Sequence, residues 1–215
     1  MKSVHYAYVM MWTVVRAAIL AAGASSRMGR PKAALCLSDR ADTFVARLIR
    51  TFQAAAIPDI VVITGAQPDA VRAAAGRVGR KVRFIDNPHW ERDGQLSSLL
   101  AALKEDQQLE ALMMTLVDAP FVAPATVSAL VHAWRSSRAA IVRPSRGDEH
   151  GHPVIFDRAV FEELRHADPS VGAKAVVRAR QADILNVPVD DRGAFIDVDT
   201  PEEYRAAVTL YGGRK

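Results

Sequence analysis

The sequence predicts an α/β domain built on a doubly wound, mostly parallel sheet. Three observations carry this expectation. Short apolar runs alternate with stretches whose apolar residues recur at helical spacing. The runs stop at glycine or another turn residue, as strands buried on both faces do. The links between them are short, which favours parallel strands joined by right-handed helical crossovers.

The elements follow in order. "RAAILAAG" (16–23) is wholly apolar after its first residue and ends on Gly23, the signature of a central parallel strand. Over 43–56, Phe44, Leu48, Ile49, Phe52 and Ala56 fall at helical spacing and make an amphipathic helix. "DIVVITG" (59–65) is β-branched and continuous, a second buried strand. Residues 67–76 read as helix, "VRFIDNP" (82–88) as a third strand, and 95–104 as helix again. "ALMMTLVDAP" (111–120) is a fourth strand, with a helix from Ala125 to Arg135 behind Pro124. "AAIVRPS" (139–145) is a fifth strand. The pattern then loosens. "GHPVIF" (151–156) reads as a strand, 158–166 and 172–180 as helices, and "ILNVPV" (184–189) and "AFIDVD" (194–199) as short strands before Pro201 opens a last helix.

No repeat or Pro/Ser-rich linker divides the chain, so residues 16–211 are expected to form one domain. Residues 1–15 are expected to be an extension with a non-native or mis-assigned start, because Met10 and Met11 directly precede the first strand. The extension has only a superficial likeness to a secretory leader. Arg16 breaks the apolar run into pieces too short to span a bilayer.

A chain of 215 residues can bury one substantial core. Its 28 cations against 24 acids leave a net charge of +4, dispersed along the chain. That pattern argues against a nucleic-acid stripe and suits a small polyanionic ligand. The single cysteine, Cys36, excludes an internal disulfide framework or a multi-cysteine metal site and points to a reducing, cytoplasmic setting.

Ligands of open parallel sheets bind beyond the carboxyl ends of the strands, and four stretches fall there. The first is "GASSRMGRPK" (23–32). Gly23 and Gly29 let peptide N–H groups approach phosphate oxygens, Ala24, Ser25 and Ser26 add little bulk, and Arg27 and Lys32 supply charge. A connecting turn with solvated cations is the alternative. The spacing fits neither G-x-x-x-x-G-K-[ST] nor G-x-G-x-x-G, which argues against a P-loop or dinucleotide site. The second is Asp118, placed either to ligate Mg²⁺ at the sheet rim or to prepare the turn at Pro120.

The third is "FIDVDTPEEY" (195–204). Asp197 and Asp199 are expected to lie on a strand and face opposite sides, so that only one of them reaches any given site. Thr200, Pro201 and Glu203 form a capping box, which leaves Asp199 unexplained by capping. The fourth is "NPHWERDGQLSSLLAAL" (87–103), where Gly94 precedes a serine-rich helix start and Trp90 either stacks on a base or packs. His89, His150 and His152 lack the paired spacing of a zinc site.

Together "LAAGASSRMGRPK", "GQLSSL", "VDAP", "GHPVIF" and "DVDTPEEY" resemble the MobA-like nucleotidyltransferases that build molybdenum cofactor dinucleotides. The resemblance runs from about residue 16 to 210 and is strongest to the cytidylyl-transferring members, which share Leu-Ala-Ala-Gly at residues 20–23. It implies a single-domain, Rossmann-like three-layer α/β/α fold of the nucleotide-diphospho-sugar transferase type. It also implies transfer of CMP from CTP to the terminal phosphate of molybdopterin, with Mg²⁺ or Mn²⁺ as cofactor. The segment "LSDRADTF" (37–44) is longer and more charged than in many relatives.

Carried over by position, the resemblance implies that Leu20, Ala21, Ala22, Gly23, Ala24, Gly65, Gly94, Ser97 and Ser98 surround the nucleotide. Arg27 and Lys32 would hold the departing phosphates and, with Asp118, carry catalysis; Asp118 and Asp199 would hold the metal. Gly151, His152 and Pro153 would face the pterin, and a molybdoenzyme or its chaperone would be the downstream partner. Nucleic acid and membrane are not expected partners. The alternatives are guanylyl transfer, transfer to another small-molecule or sugar phosphate, or a non-catalytic nucleotide-binding chaperone for cofactor insertion.

Overall fold

In the computed structural model, residues 14–38, 42–92, 94–104 and 108–212 are described. Residues 1–13 of the expected extension lie outside them. The first strand begins slightly before the expected boundary, as β1 (Val14–Ala21). It is followed by α1 (Phe44–Ala54), β2 (Asp59–Thr64), α2 (Pro68–Ala75), β3 (Arg83–Asp86) and α3 (Gly94–Leu103). Next come β4 (Leu109–Leu116), α4 (Pro124–Ser137), β5 (Ile141–Arg146), β6 (Glu149–His150) and β7 (Val154–Asp157). The chain ends with α5 (Phe161–Arg165), α6 (Lys174–Ala179), β8 (Ile184–Pro188) and α7 (Pro201–Tyr211).

The eight strands form one sheet, with β3, β2, β1, β4, β7 and β5 in spatial order and β8 paired to β5. Each central strand is apolar on both faces because each face meets its own core. Along β1, Val15, Ala17, Ile19 and Ala21 join α1, α2 and α4 in one core. Ala18 and Leu20 point the other way, to the core closed by α3 and α5. This is the expected three-layer α/β/α arrangement with a mostly parallel sheet. Among the described residues no helix is long and apolar enough to cross a membrane.

The second half adds one feature that the run pattern does not show and corrects one expectation. Strand β5 does not lie beside β4. Instead β7 is inserted between them, antiparallel to both. The link from β5 to β6 spans only Gly147 and Asp148, with Gly147 at φ +60°, so the chain must turn back as a hairpin. Nor do residues 194–199 form a strand. Asp191 accepts a hydrogen bond from the Gly193 N–H and starts a 3₁₀ turn over Arg192–Phe195. The extended residues that follow meet the sheet rim where the Val198 N–H donates to the Asp118 carbonyl at 2.8 Å. That bond brings the C-terminal acids to the end of β4.

Candidate active site

The loop after β1 is folded by its own hydroxyl. Ser25 adopts a left-handed conformation (φ +54°), and its Oγ accepts the Lys32 N–H at 3.0 Å. The loop therefore doubles back and returns Lys32 to the carboxyl end of the strand from which it left. There Lys32 Nζ donates to Asp118 Oδ2 at 2.8 Å and to Asp199 Oδ1 at 2.6 Å. Arg27 Nη2 stands 3.5 Å from the same Asp199 oxygen. The Lys32 side chain is 11% exposed and that of Arg27 70%, so one cation is enclosed and the other faces solvent.

Each acid is held by backbone. Asp118 directly follows Val117, whose N–H donates to the Leu20 carbonyl at 3.1 Å. Glu203 Oε2 accepts the N–H groups of Asp199 and Thr200 at 2.7 and 2.8 Å, and Thr200 Oγ1 accepts the Glu203 N–H. The capping box thus starts α7 and fixes Asp199 at the same time. Burial opposes the charge on Lys32, but hydrogen bonds and attraction from both acids prevail and raise its pKa above the ordinary lysine value. The Lys32 hydrogen bond, helped by its charge and that of Arg27, outweighs burial and lowers the pKa of Asp199.

Asp118 Oδ1 is buried with no hydrogen-bond partner among the described residues. A carboxylate oxygen left idle next to a second carboxylate suits a hard cation. No group of three or more His, Cys, Asp or Glu side chains that could hold a metal occurs among the described residues. An ion here would therefore complete its coordination with ligand oxygens or water.

The cluster borders a cleft of about 420 Å³. Of the residues expected around the nucleotide, Leu20, Ala21, Ala22, Gly23, Arg27, Lys32, Gly94, Ser98, Asp118 and Asp199 line it. Three do not, each for a physical reason. Ala24 is exposed on the outside of the loop. Gly65 is a packing glycine, since a Cβ there would lie 2.6 Å from the Ala22 carbonyl oxygen and 2.7 Å from Trp90 Cγ. Ser97 spends its hydroxyl on the first turn of α3, accepting from Asn87 Nδ2 at 2.7 Å and donating to the Gly94 carbonyl at 2.9 Å. Trp90 reaches the cleft, as do Glu91 and Gln95, which no spacing singled out.

A second cavity of about 600 Å³ adjoins the first and shares Leu20, Gln95 and Leu116 with it. His152 lines this cavity; Gly151 and Pro153 do not. Gly151 instead lets the chain pass the Ala194 carbonyl, whose oxygen would lie 2.0 Å from a Cβ there. Pro153, joined to His152 by a cis peptide bond, is buried. Asp197 lines the second cavity while Asp199 lines the first, and no strand carries the two acids. Burial lowers the His152 pKa against the pull of Asp197 and Asp118. Burial raises that of Asp197, reinforced by the charges of Asp118 and Asp199 and opposed by those of His152 and Lys32.

Residues 17–184 match the model of the MobA-like NTP transferase domain. The molybdenum cofactor guanylyltransferase of Rhizobium meliloti (strain 1021) is 28% identical over 203 residues, 89% of each chain. The probable molybdenum cofactor guanylyltransferase of Opitutus terrae is 29% identical, covering 86% of this chain and 91% of its own. Among solved structures, Rv0371c of Mycobacterium tuberculosis H37Rv superposes with a TM-score of 0.76 at 27% identity, over 92% of this chain and 98% of that one. The manganese complex of Rv0371c does so with a TM-score of 0.68 at 26% identity, over 92% and 99%. With its Lys32, Asp118 and Asp199 gathered at the carboxyl ends of a three-layer sheet, the chain belongs to the MobA-like NTP transferase family and is a nucleotidyltransferase.

Proposed function

We propose that this enzyme transfers a nucleoside monophosphate from its triphosphate to the terminal phosphate of molybdopterin, releasing pyrophosphate. The observation that carries the reading is the Lys32 ammonium held between Asp118 and Asp199 at the edge of a nucleotide-sized cleft. In the reaction, an acceptor phosphate oxygen bonds to the α-phosphorus while the bond from that phosphorus to the bridging β-oxygen breaks. The attacking phosphate is already ionised, so no side chain has to remove a proton. Catalysis then rests on alignment and charge neutralisation.

Lys32 and Arg27 hold the β- and γ-phosphates, Lys32 exchanging a carboxylate partner for phosphate oxygens. Asp118 and Asp199 hold a divalent ion, Mg²⁺ or Mn²⁺, which supplies countercharge to the triphosphate when bound. The manganese complex of Rv0371c supports such an ion, as does the idle Asp118 Oδ1. Both acids and Lys32 converging on one point favour catalysis over a chaperone that only binds nucleotide.

The base divides the support. Both molybdenum cofactor relatives are named guanylyltransferases, which favours GTP. The second reading, CTP, rests on Ala22, where the guanylyl-transferring relatives usually have glycine; its methyl carbon packs close to Gly65. Pyrophosphate release from CTP, GTP, ATP and UTP, each with Mg²⁺ and molybdopterin, tests both. Turnover with GTP alone supports the first reading and with CTP alone the second, while no turnover with any of them overturns both.

A further inference from the structure

The inference here rests on the acceptor reading above and deepens it. The second cavity crosses the sheet in one direction. Its floor begins at Leu20 on β1 and Leu116 on β4, where it meets the nucleotide cleft, and continues over Val154 on β7 to Arg143 on β5. Val154 lies opposite Met114 in the β4–β7 register. Neighbouring strands stand about 4.8 Å apart, so Arg143 is on a strand roughly 10 Å from β4. Leu99 of α3 and Val177 of α6 give the slot apolar wall, beside the polar Gln95, His152, Lys174 and Asp197.

Arg143 stands apart among the half-buried arginines described, since Arg47, Arg50, Arg72 and Arg180 are all paired with acids while the other unpaired arginines are exposed. Arg16, Arg72, Arg83, Arg138 and Arg180 each have a carboxylate within ion-pair distance. Arg143 has none among the described residues. Its Nε donates to Asn186 Oδ1 at 2.8 Å, which orients the guanidinium without neutralising it. Burial lowers its pKa, with no acid to offset the cost. A half-buried fork of this kind is matched to a planar acceptor edge or an anion. The rim carries a second sign of a missing occupant. Val171, which lines the cavity, is 42% exposed and one of only two large exposed hydrophobic residues among those described.

We infer that this slot binds the body of the acceptor, a flat heterocycle carrying a phosphate, and that Arg143 reads the hydrogen-bond-accepting edge farthest from that phosphate. The acceptor phosphate lies at the Leu20–Leu116 junction, facing the nucleotide. The ring system lies over Val154, between Leu99 and Val177. Arg143 therefore sets acceptor specificity without touching the nucleotide.

The test uses the full chain and 6-hydroxymethylpterin monophosphate, whose fluorescence reports binding. The wild type binds the probe with or without a non-hydrolysable nucleoside triphosphate. Arg143→Gln weakens probe binding about tenfold or more, as loss of a charge-assisted hydrogen bond does, while nucleotide affinity holds. Arg143→Lys recovers part of the loss because it restores charge but not the fork. Val177→Trp, which fills the slot, abolishes probe binding at unchanged nucleotide affinity. Failure of the wild type to bind, equal probe affinity in Arg143→Gln, or competition between probe and nucleotide overturns the inference. With molybdopterin as substrate, the acceptor KM rises at least about tenfold in Arg143→Gln. An unchanged KM there overturns the role of Arg143 but leaves the proposed reaction standing. Probe binding as described, with no turnover of molybdopterin by the wild type, overturns the acceptor's identity but leaves the slot standing.

Discussion

Two ion clusters sit at opposite ends of the central strands, and they are near mirror images in charge. At the amino end, Asp59 lies between two guanidiniums: Arg16 Nε at 2.7 Å and Arg83 Nη2 at 2.7 Å. At the carboxyl end, Lys32 lies between two carboxylates at 2.8 and 2.6 Å. The difference is what each leaves unsatisfied. Arg16, 2% exposed, also donates to the Ala102 carbonyl at 2.9 Å, and its cluster ties β1, β2 and β3 together. The Lys32 cluster keeps an idle carboxylate oxygen on Asp118 and borders a cleft. The same ion chemistry is thus structural where the strands begin and available to a ligand where they end. Strand direction decides this, because ligands of an open parallel sheet bind in the crevice outside the carboxyl ends of its strands.

If the contrast is real, the two clusters fail in different ways. Asp118→Asn should lower kcat by roughly 10²–10³-fold, the scale for losing a preorganised electrostatic contact at the reacting centre. Its unfolding midpoint should move little, since Lys32 keeps the Asp199 carboxylate and an amide oxygen can still accept from it. Turnover and thermal melting on the same preparation check both halves, and a variant keeping most of its kcat would break the comparison. Asp59→Asn should do the reverse. It removes the carboxylate that the Arg16 and Arg83 guanidiniums share, a loss of about 1.5–3 kcal/mol by the scale for charged hydrogen bonds. Denaturant unfolding should show that loss while KM and kcat of the folded fraction hold.

Acid titration sharpens the same point. Burial raises the Asp59 pKa, but hydrogen bonds and attraction from Arg83 and Arg16 outweigh it and leave the pKa below the ordinary carboxylate value. A group depressed on folding stabilises the protein fully above its unfolded pKa, near 3.9, and loses that contribution as pH falls through the folded value. The stability gap between wild type and Asp59→Asn should be constant from pH 5 to 8 and narrow below about pH 4. A gap that widens on acidification would reverse the assigned sign.

The amino-acid sequence makes the parallel half of this molecule readable and the returning half much less so. Strand β1 is legible because its residues are buried to both sides, Ile19 in one core and Leu20 in the other, which only a central strand permits. The loop from Gly23 to Lys32 is legible by composition. That Lys32 meets Asp118 and Asp199 is not, because those contacts bridge 86 and 167 residues and no local pattern encodes them. The direction and place of strand β7 escape for a different reason. Residues buried on both faces look alike in either strand direction, and only the tight turn at Gly147 carries the reversal. Arg143 lies within the fifth strand's run, and its lack of a carboxylate partner among the described residues emerges only in three dimensions.

The smallest effect isolates position from stability. Thr200 Oγ1 caps α7 by accepting the Glu203 N–H at 3.2 Å, and Thr43 Oγ1 caps α1 by accepting the Ala46 N–H at 3.2 Å. Replacing either threonine by alanine removes a similar cap, worth about 1 kcal/mol, or some 2–4 °C in a chain of this size. Thr43 also donates to the Ala74 carbonyl, so Thr43→Ala should be the more destabilising of the two. Thr43→Ala should nevertheless leave nucleotide KM alone, because its cap holds no residue of the cleft. Thr200→Ala loosens the Glu203 side chain that orients Asp199, so nucleotide KM should rise about two- to threefold, a fraction of a kcal/mol. Steady-state kinetics of the pair decide the matter. Equal KM values would mean that Asp199 is placed by Lys32 alone, and that the capping box at the carboxyl end is as purely structural as its counterpart on α1.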